Sequence, residues 1–256
     1  LVHARSRAPA WSALKACRAT GTPFVTTYHG TYSEGLPGKR FYNSVMARGD
    51  RVIAISNFIA KLIADRHKTP ADRIAVIHRG VDIDVFDPEK TTAARTAALA
   101  EKWRIPDDRP VILLPARIAG WKGHIALLEA LARLKDRKFR CVMVGDDQGR
   151  RARRSKIEAK IKALNLESDV LIAGHCGDMP AAYMLADVVV NASIEPEAFG
   201  RVMAEAAAMG KPVVAFKHGG AEEIVLDSRT GWLTAPGDIP ALARGIGMAA
   251  ALTAPE

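Results

Sequence analysis

"DVVVNASIEPEAFGRVMAEAAAMGKPVVAF", residues 187–216, decides the fold. Its two ends, "DVVVNA" (187–192) and "PVVAF" (212–216), are short β-branched runs, and the Ala-rich stretch between them has the composition of a helix. Gly210-Lys211-Pro212 ends that helix and starts the next strand. Strand, helix and strand in this order make a βαβ crossover, and therefore parallel strands. The same stretch places two carboxylates, Glu197 and Glu205, on either side of Gly200. A single Glu in an Ala-rich helix needs no explanation beyond solubility, so the rest of the chain must show whether these two do more.

The alternation extends in both directions. Upstream, "VILLPA" (111–116), "RCVMVG" (140–145) and "DVLIAG" (169–174) read as strands with helices between them. Nearer the start, "PFVTTY" (23–28), "RVIAIS" (51–56) and "RIAVIH" (73–78) form an earlier series, separated by helical stretches near 9–19, 39–48 and 57–66. The expected fold is α/β with two Rossmann-like units, at 1–90 and 107–256. A linker is expected at 91–106, in a region rich in chain breakers at its ends and helical in composition in its middle. The first series has few strands for a doubly wound sheet, so the first domain is expected to be incomplete.

The chain has 256 residues, 48% of them hydrophobic and 25% charged, which is ordinary for a globular protein. No apolar run approaches the roughly 20 residues that span a bilayer. Cys17, Cys141 and Cys176 lack any C-x-x-C spacing and read as reduced thiols of a cytosolic protein. A net charge of +9 implies attraction to anions, whether nucleic acid, acidic lipid or phosphorylated small molecules. The densest basic run, Arg150 to Lys156, leads into Ile157, Ile161 and Leu164 at helical spacing and reads mainly as a solvated helix face.

In open parallel sheets ligands bind beyond the carboxyl ends of the strands. Here Arg117 and Lys122 follow the strand 111–116, "SIEPEAFG" follows 187–192, and "KHGGAEE" follows 212–216. A helix starting near Gly200 offers unpaired N–H groups and a positive dipole end to an anion, while Gly200 permits close backbone approach. Glu205, further along, can accept two hydroxyl donors from a diol. Arg117 as a fork of donors and Lys122 as a point charge can neutralise a diphosphate without a metal.

Together "EPEAFGRVMAEAAAMGKPVVA", "GGAEE" and "TGWL", with "RIAGWKG" upstream, resemble family 4 of the retaining, nucleotide-sugar-dependent glycosyltransferases. The first series agrees through "TTYHGTY", "GDRVIAIS" and "IHRGVD", although Arg79 stands where an Asn is common. The resemblance implies the GT-B fold, two Rossmann-like domains facing across a cleft, and a hexosyl transfer from a nucleoside-diphosphate sugar to a hydroxyl acceptor. It assigns the diphosphate to Arg117 and Lys122, the ribose hydroxyls to Glu205, and the sugar to Glu197 with the Ala198-Phe199-Gly200 backbone. His29 of "TYHG" would meet the sugar from the first domain, and Gly174-His175-Cys176 would lie by the base. No cofactor or metal is implied. Basic charge and family habit point to a lipid-linked or cell-envelope glycan as acceptor, peripheral membrane contact, and a cytoplasmic location at the inner membrane face. The family also carries strands and a glycine-rich loop before the position of "LVHARSR", and a final helix after that of "GIGMAAALTAPE". The chain is accordingly expected to be truncated, to bind nucleotide and to transfer sugar poorly.

Two acidic pairs imitate metal sites, Asp82-x-Asp84 and Asp146-Asp147, and both read as turns and caps. The seven histidines show no ligand spacing; His67, His124 and His218 read as solvent-facing or structural, and the four tryptophans as packing residues. Two rival functions stand beside the transferase. One is a sugar-nucleotide 2-epimerase of the same architecture, which would alter its sugar nucleotide with no acceptor present. The other is a basic nucleic-acid-binding module, against which stand cations not interleaved with aromatics and the lack of a recognised motif.

Overall fold

The computed structural model describes residues 1–134 and 138–252. The chain divides into two compact units, one comprising Leu1–Gly80 with Pro196–Gly200, the other Val81–Glu195 with Arg201–Glu256.

The first unit runs β1 (Val2–Ala4), α1 (Arg7–Thr20), β2 (Phe24–Tyr28), α2 (Lys39–Ser44), β3 (Arg51–Ala54), α3 (Asn57–His67) and β4 (Ile74–Val76). Its four strands are all parallel, in the order β1-β2-β3-β4. Helix α1 buries Ala10, Leu14 and Cys17, the i, i+4, i+7 stripe of an amphipathic helix, and ends where Gly21 turns left-handed. The Ser56 hydroxyl caps α3 by accepting from Ile59 N at 3.1 Å, and Ile59 and Ile63 pack inward one turn apart. The strand at Val2–Ala4 was not expected. At three residues it is too short to show a period, and its evidence is the pairing with β2.

The second unit continues with α4 (Ala93–Trp103), β5 (Val111–Pro115), α5 (His124–Leu131), β6 (Arg140–Val144), α6 (Arg151–Ala163), β7 (Val170–Gly174), α7 (Met179–Leu185), β8 (Val188–Asn191), α8 (Arg201–Ala208), β9 (Val213–Phe216), α9 (Ala221–Ile224), β10 (Gly231–Thr234) and α10 (Ile239–Ala251). The six strands are parallel in the order β10-β9-β8-β5-β6-β7. This is the doubly wound order, with the chain reversing direction across the sheet between β5 and β8. Both faces are covered, as a parallel sheet requires. Ile112, Leu114, Cys141, Met143, Val188, Val190, Val214 and Phe216 point into one core with α5, α6 and α10. Val111, Leu113, Val142, Val144, Val189, Val213 and Ala215 point into the other with α4, α7 and α8. The alternation is the period of two of an extended chain.

The stretch 91–106, read as a linker, carries α4, and it groups with the second unit, which starts at Val81. Thr92 caps that helix, Arg104 ends it in the left-handed region, and Leu99 and Trp103 are buried in the second core. Strand β10 was also unread. Its Gly231 lies so near β9 that a Cβ would stand 1.9 Å from the Val213 carbonyl oxygen, so a glycine hides the strand from propensity while permitting its pairing. Residues 253–256, the end of "GIGMAAALTAPE", lie outside the described residues.

Candidate active-site residues

The direction change between β5 and β8 sets two loops side by side at the carboxyl ends of their strands, 116–123 and 192–200, and the backbone laces them together. Ile194 N donates to Trp121 O at 2.8 Å. Gly123, at φ +72°, lies so close that a Cβ would stand 1.6 Å from the Ala192 carbonyl oxygen. On the other side Ile118 N donates to Asp146 O at 3.0 Å, and a Cβ on Gly145 would stand 2.1 Å from the Ala116 carbonyl oxygen. Glycines at 123 and 145 are thus the condition for close approach of three strand ends. A fourth joins them, because His218 after β9 bonds through Nε2 to Ser193 O at 2.8 Å.

On this frame Arg117 donates from Nη1 to Gln148 Oε1 at 3.2 Å, and the Lys122 ammonium lies 4.0 Å from the centroid of the Trp121 ring. Both cations sit on the loop that follows β5. Trp121, read as a packing residue, is only half-buried and serves as the platform under Lys122.

Helix α8 begins directly after Gly200, whose φ is +96°. Glu205 lies on α8 with 8% of its surface exposed. The Tyr183 hydroxyl donates to its Oε2 at 2.8 Å, and Arg201 Nε stands 3.0 Å from its Oε1. Burial raises the Glu205 carboxyl above the usual range, with Tyr183 and Arg201 opposing. The Tyr183 phenol is itself pushed up by burial and the adjacent carboxylate, so it stays a donor. Neither partner of Glu205 was singled out in the sequence. The signal for Arg201 was its spacing of four residues on one helix face, and for Tyr183 a lone phenol in the apolar run "MPAAYML". His175 is exposed just past β7, and Cys176 donates its S–H to Asp178 O at 3.3 Å. Of the loop ahead of α8, Glu197 and Ala198 are half-buried and Phe199 is buried, and residues 196–200 group with the first unit.

In the first unit His29 follows β2 directly and is half-buried. Arg79, past the end of β4, donates from Nη2 to His29 Nδ1 at 2.9 Å. Burial, then Arg79, Arg5 and His3, hold the imidazole below its ordinary value.

The acidic pairs make turns: Asp82 Oδ1 accepts from Asp84 N at 3.0 Å, and Asp146 and Asp147 accept from Gln148 N and Gly149 N. Among the described residues no group of three or more His, Cys, Asp or Glu side chains could hold a metal ion. Arg150, Arg151 and Arg153 are exposed at the start of α6 while Ile157 and Ile161 are buried. Among the described residues no helix is long and apolar enough to cross a membrane.

Comparison with known proteins agrees with this fold. Residues 96–251 match the model of the glycosyl transferases group 1, and residues 1–85 that of glycosyltransferase family 4. The D-inositol 3-phosphate glycosyltransferase of Xylanimonas cellulosilytica is 35% identical over 192 residues, which are 74% of this chain and 46% of that protein. The crystal structure of a glycosyltransferase from Rickettsia africae ESF-5 superposes with a TM-score of 0.89 at 41% identity, covering 98% of this chain and 66% of that one. Anabaena Alr3699/HepE, solved in complex with UDP-glucose, superposes with a TM-score of 0.85 at 28% identity, covering 96% of this chain and 68% of that one. The chain thus spans about half the length of the curated relative and two thirds of the solved ones. With a matching family model over more than half its length and the doubly wound sheet that such enzymes share, the chain belongs to the group 1 glycosyl transferases, of GT-B type.

Proposed function

We propose that the protein is a retaining glycosyltransferase of family 4, moving a hexose from a nucleoside-diphosphate sugar to a hydroxyl acceptor. The observation that carries this reading is the glycine-closed junction of β5 and β8, which offers Arg117 and Lys122 on one loop and Glu205 on the helix that follows the other. In the proposed reaction the bond between anomeric carbon and diphosphate breaks as positive charge develops on the sugar. Arg117 and Lys122 stabilise the departing diphosphate, Glu205 accepts from the ribose hydroxyls, and Glu197 with the backbone of 198–200 holds the sugar. His29 supplies a polar contact to the sugar and His175 a contact to the base. The departing phosphate takes the acceptor's proton, so no separate protein base and no metal is required.

UDP-glucose is the first donor to test, because it is the ligand of the Anabaena relative. The acceptor we propose is a lipid-linked or cell-envelope glycan, reached by peripheral contact of a basic protein with an anionic membrane face on the cytoplasmic side. A thermal-shift screen of UDP-, GDP- and ADP-sugars tests the donor. A ligand at 100 times its dissociation constant adds about 2.7 kcal/mol of stability. No shift with any of the three overturns the reading, and conversion of a sugar nucleotide without acceptor would replace it with the epimerase.

A further inference from the structure

We propose that Arg79 is a positioning residue for His29: by donating to Nδ1 at 2.9 Å it fixes the imidazole as the Nε2–H tautomer, leaving one ring N–H to donate to a ligand hydroxyl. A guanidinium has donors only and keeps its protons throughout the accessible pH range, so the ring nitrogen it meets must carry the lone pair. A neutral imidazole has one N–H, and with Nδ1 taken as acceptor that proton sits on Nε2. Protonating the ring would turn the contact into N–H against N–H between two cations.

The groups around His29 enforce the same state. Arg5 follows β1 and His3 lies on it, with His3 Nε2 bonded to Thr27 Oγ1 at 2.7 Å. From the loop after β2, the Tyr32 hydroxyl accepts from the His29 backbone N–H at 3.4 Å, and Arg7 stands over the Tyr32 ring. The carboxylate of that loop, Glu34, is turned to Arg66 at 3.6 Å. His78, beside Arg79, meets Asn57 Nδ2 at 3.4 Å. His29 therefore faces cations and a neutral phenol, and its lowered affinity for a proton follows from burial and from Arg79, Arg5 and His3. Arg79 also explains a departure noted in the sequence. An amide at this position would donate a hydrogen bond without charge, whereas arginine adds a fixed charge that keeps the ring neutral as pH falls.

The proposal rests on the transferase reading for the identity of the hydroxyl ligand, and on geometry alone for the tautomer. The test is nitrogen-15 NMR of the histidine rings in the whole chain, free and with UDP-glucose, for wild type, Arg79→Ala and Arg79→Asn. In wild type His29 should show the Nε2–H tautomer and a midpoint below 6.5. In Arg79→Ala the midpoint should rise toward that value and the second tautomer should appear, whereas Arg79→Asn should keep the tautomer and raise the midpoint. A ring titrating at about 6.5 loses about threefold of its neutral form between pH 7 and 6. Donor turnover should therefore fall over that interval by up to about threefold in Arg79→Ala, where burial still acts on the ring, and by less in wild type. A wild-type spectrum with the proton on Nδ1 overturns the proposal, and needs no variant to fold. So does a midpoint unmoved in Arg79→Ala. Failure of UDP-, GDP- and ADP-sugars alike to bind, with the tautomer as described, would sink the transferase reading and leave the positioning role standing.

Discussion

The Tyr183 hydroxyl stands 2.8 Å from Glu205 Oε2, and this bond ties α7 to α8 across the core that the two helices share. It holds a carboxylate in a place where the chain gains nothing in stability from ionising it. Burial raises the Glu205 carboxyl above 4.5, so the folded state binds a proton more tightly than the unfolded chain does. The sign follows: this group's contribution is most favourable below 4.5 and declines as pH rises through its folded value.

Glu205→Gln is therefore expected to hold or raise the thermal midpoint at pH 7, because the amide oxygen still accepts from Tyr183 and no buried charge remains. The same change should weaken binding of UDP by about tenfold, the loss of one charged hydrogen bond. Calorimetric titration beside a melting curve checks both, and a variant that binds UDP as wild type does would remove Glu205 from the ribose role.

Arg117→Ala and Lys122→Ala should each weaken UDP binding by about ten- to hundredfold, the value of a charge-assisted bond to phosphate. Stability should change by no more than about 0.5 kcal/mol, since both side chains lie on a loop rather than in either core. Uridine, which lacks phosphate, is the control: neither variant should alter its binding.

Much of this arrangement was readable in the chain. The eight strands expected from β-branched runs are present, because a parallel sheet covered on both faces needs continuous apolar strands and such runs are conspicuous. The loop cations and the helix start after Gly200 followed from where the strands end. The two strands that escaped, Val2–Ala4 and Gly231–Thr234, are short, and one opens on a glycine whose role is tertiary. The partners Tyr183 and Arg79 escaped for a different reason. Each lies 22 or more residues from the group it orients, and only folding brings them together.

Gly123→Ala and Gly145→Ala should be among the most damaging small substitutions in the second unit. A methyl at 123 would meet the Ala192 carbonyl and require a left-handed residue with a side chain, and one at 145 would meet the Ala116 carbonyl. Each is expected to cost more than about 2 kcal/mol in urea unfolding and to displace Arg117 and Lys122 with it. Gly21→Ala is the control: its φ is also positive, at +66°, but nothing lies within 4 Å of the added carbon, so only about 1 kcal/mol of backbone strain should appear.

His124 links the loop that follows β5 to the acid stability of the protein. It follows Gly123 at the start of α5 and is 3% exposed, with the Ala116 backbone as the polar group beside its ring. Burial lowers its affinity for a proton from 6.5 to about 4, the Ala116 backbone opposing the shift and Lys122 adding to it. The unfolded chain thus binds a proton that the folded state refuses. Stability from this residue is complete above 6.5 and is lost progressively as pH falls toward 4. At 1.36 kcal/mol per pH unit the full loss is about 3 kcal/mol. Urea midpoints taken between pH 7.5 and 4 should fall most steeply in this window, and His124→Leu should flatten the fall by that amount while keeping the fold, an apolar side chain being at home in this site. A profile with the same slope in both proteins would show that His124 keeps its proton in the folded state. The Ala116 backbone, which opposes the shift, would then be the partner that keeps the ring protonated.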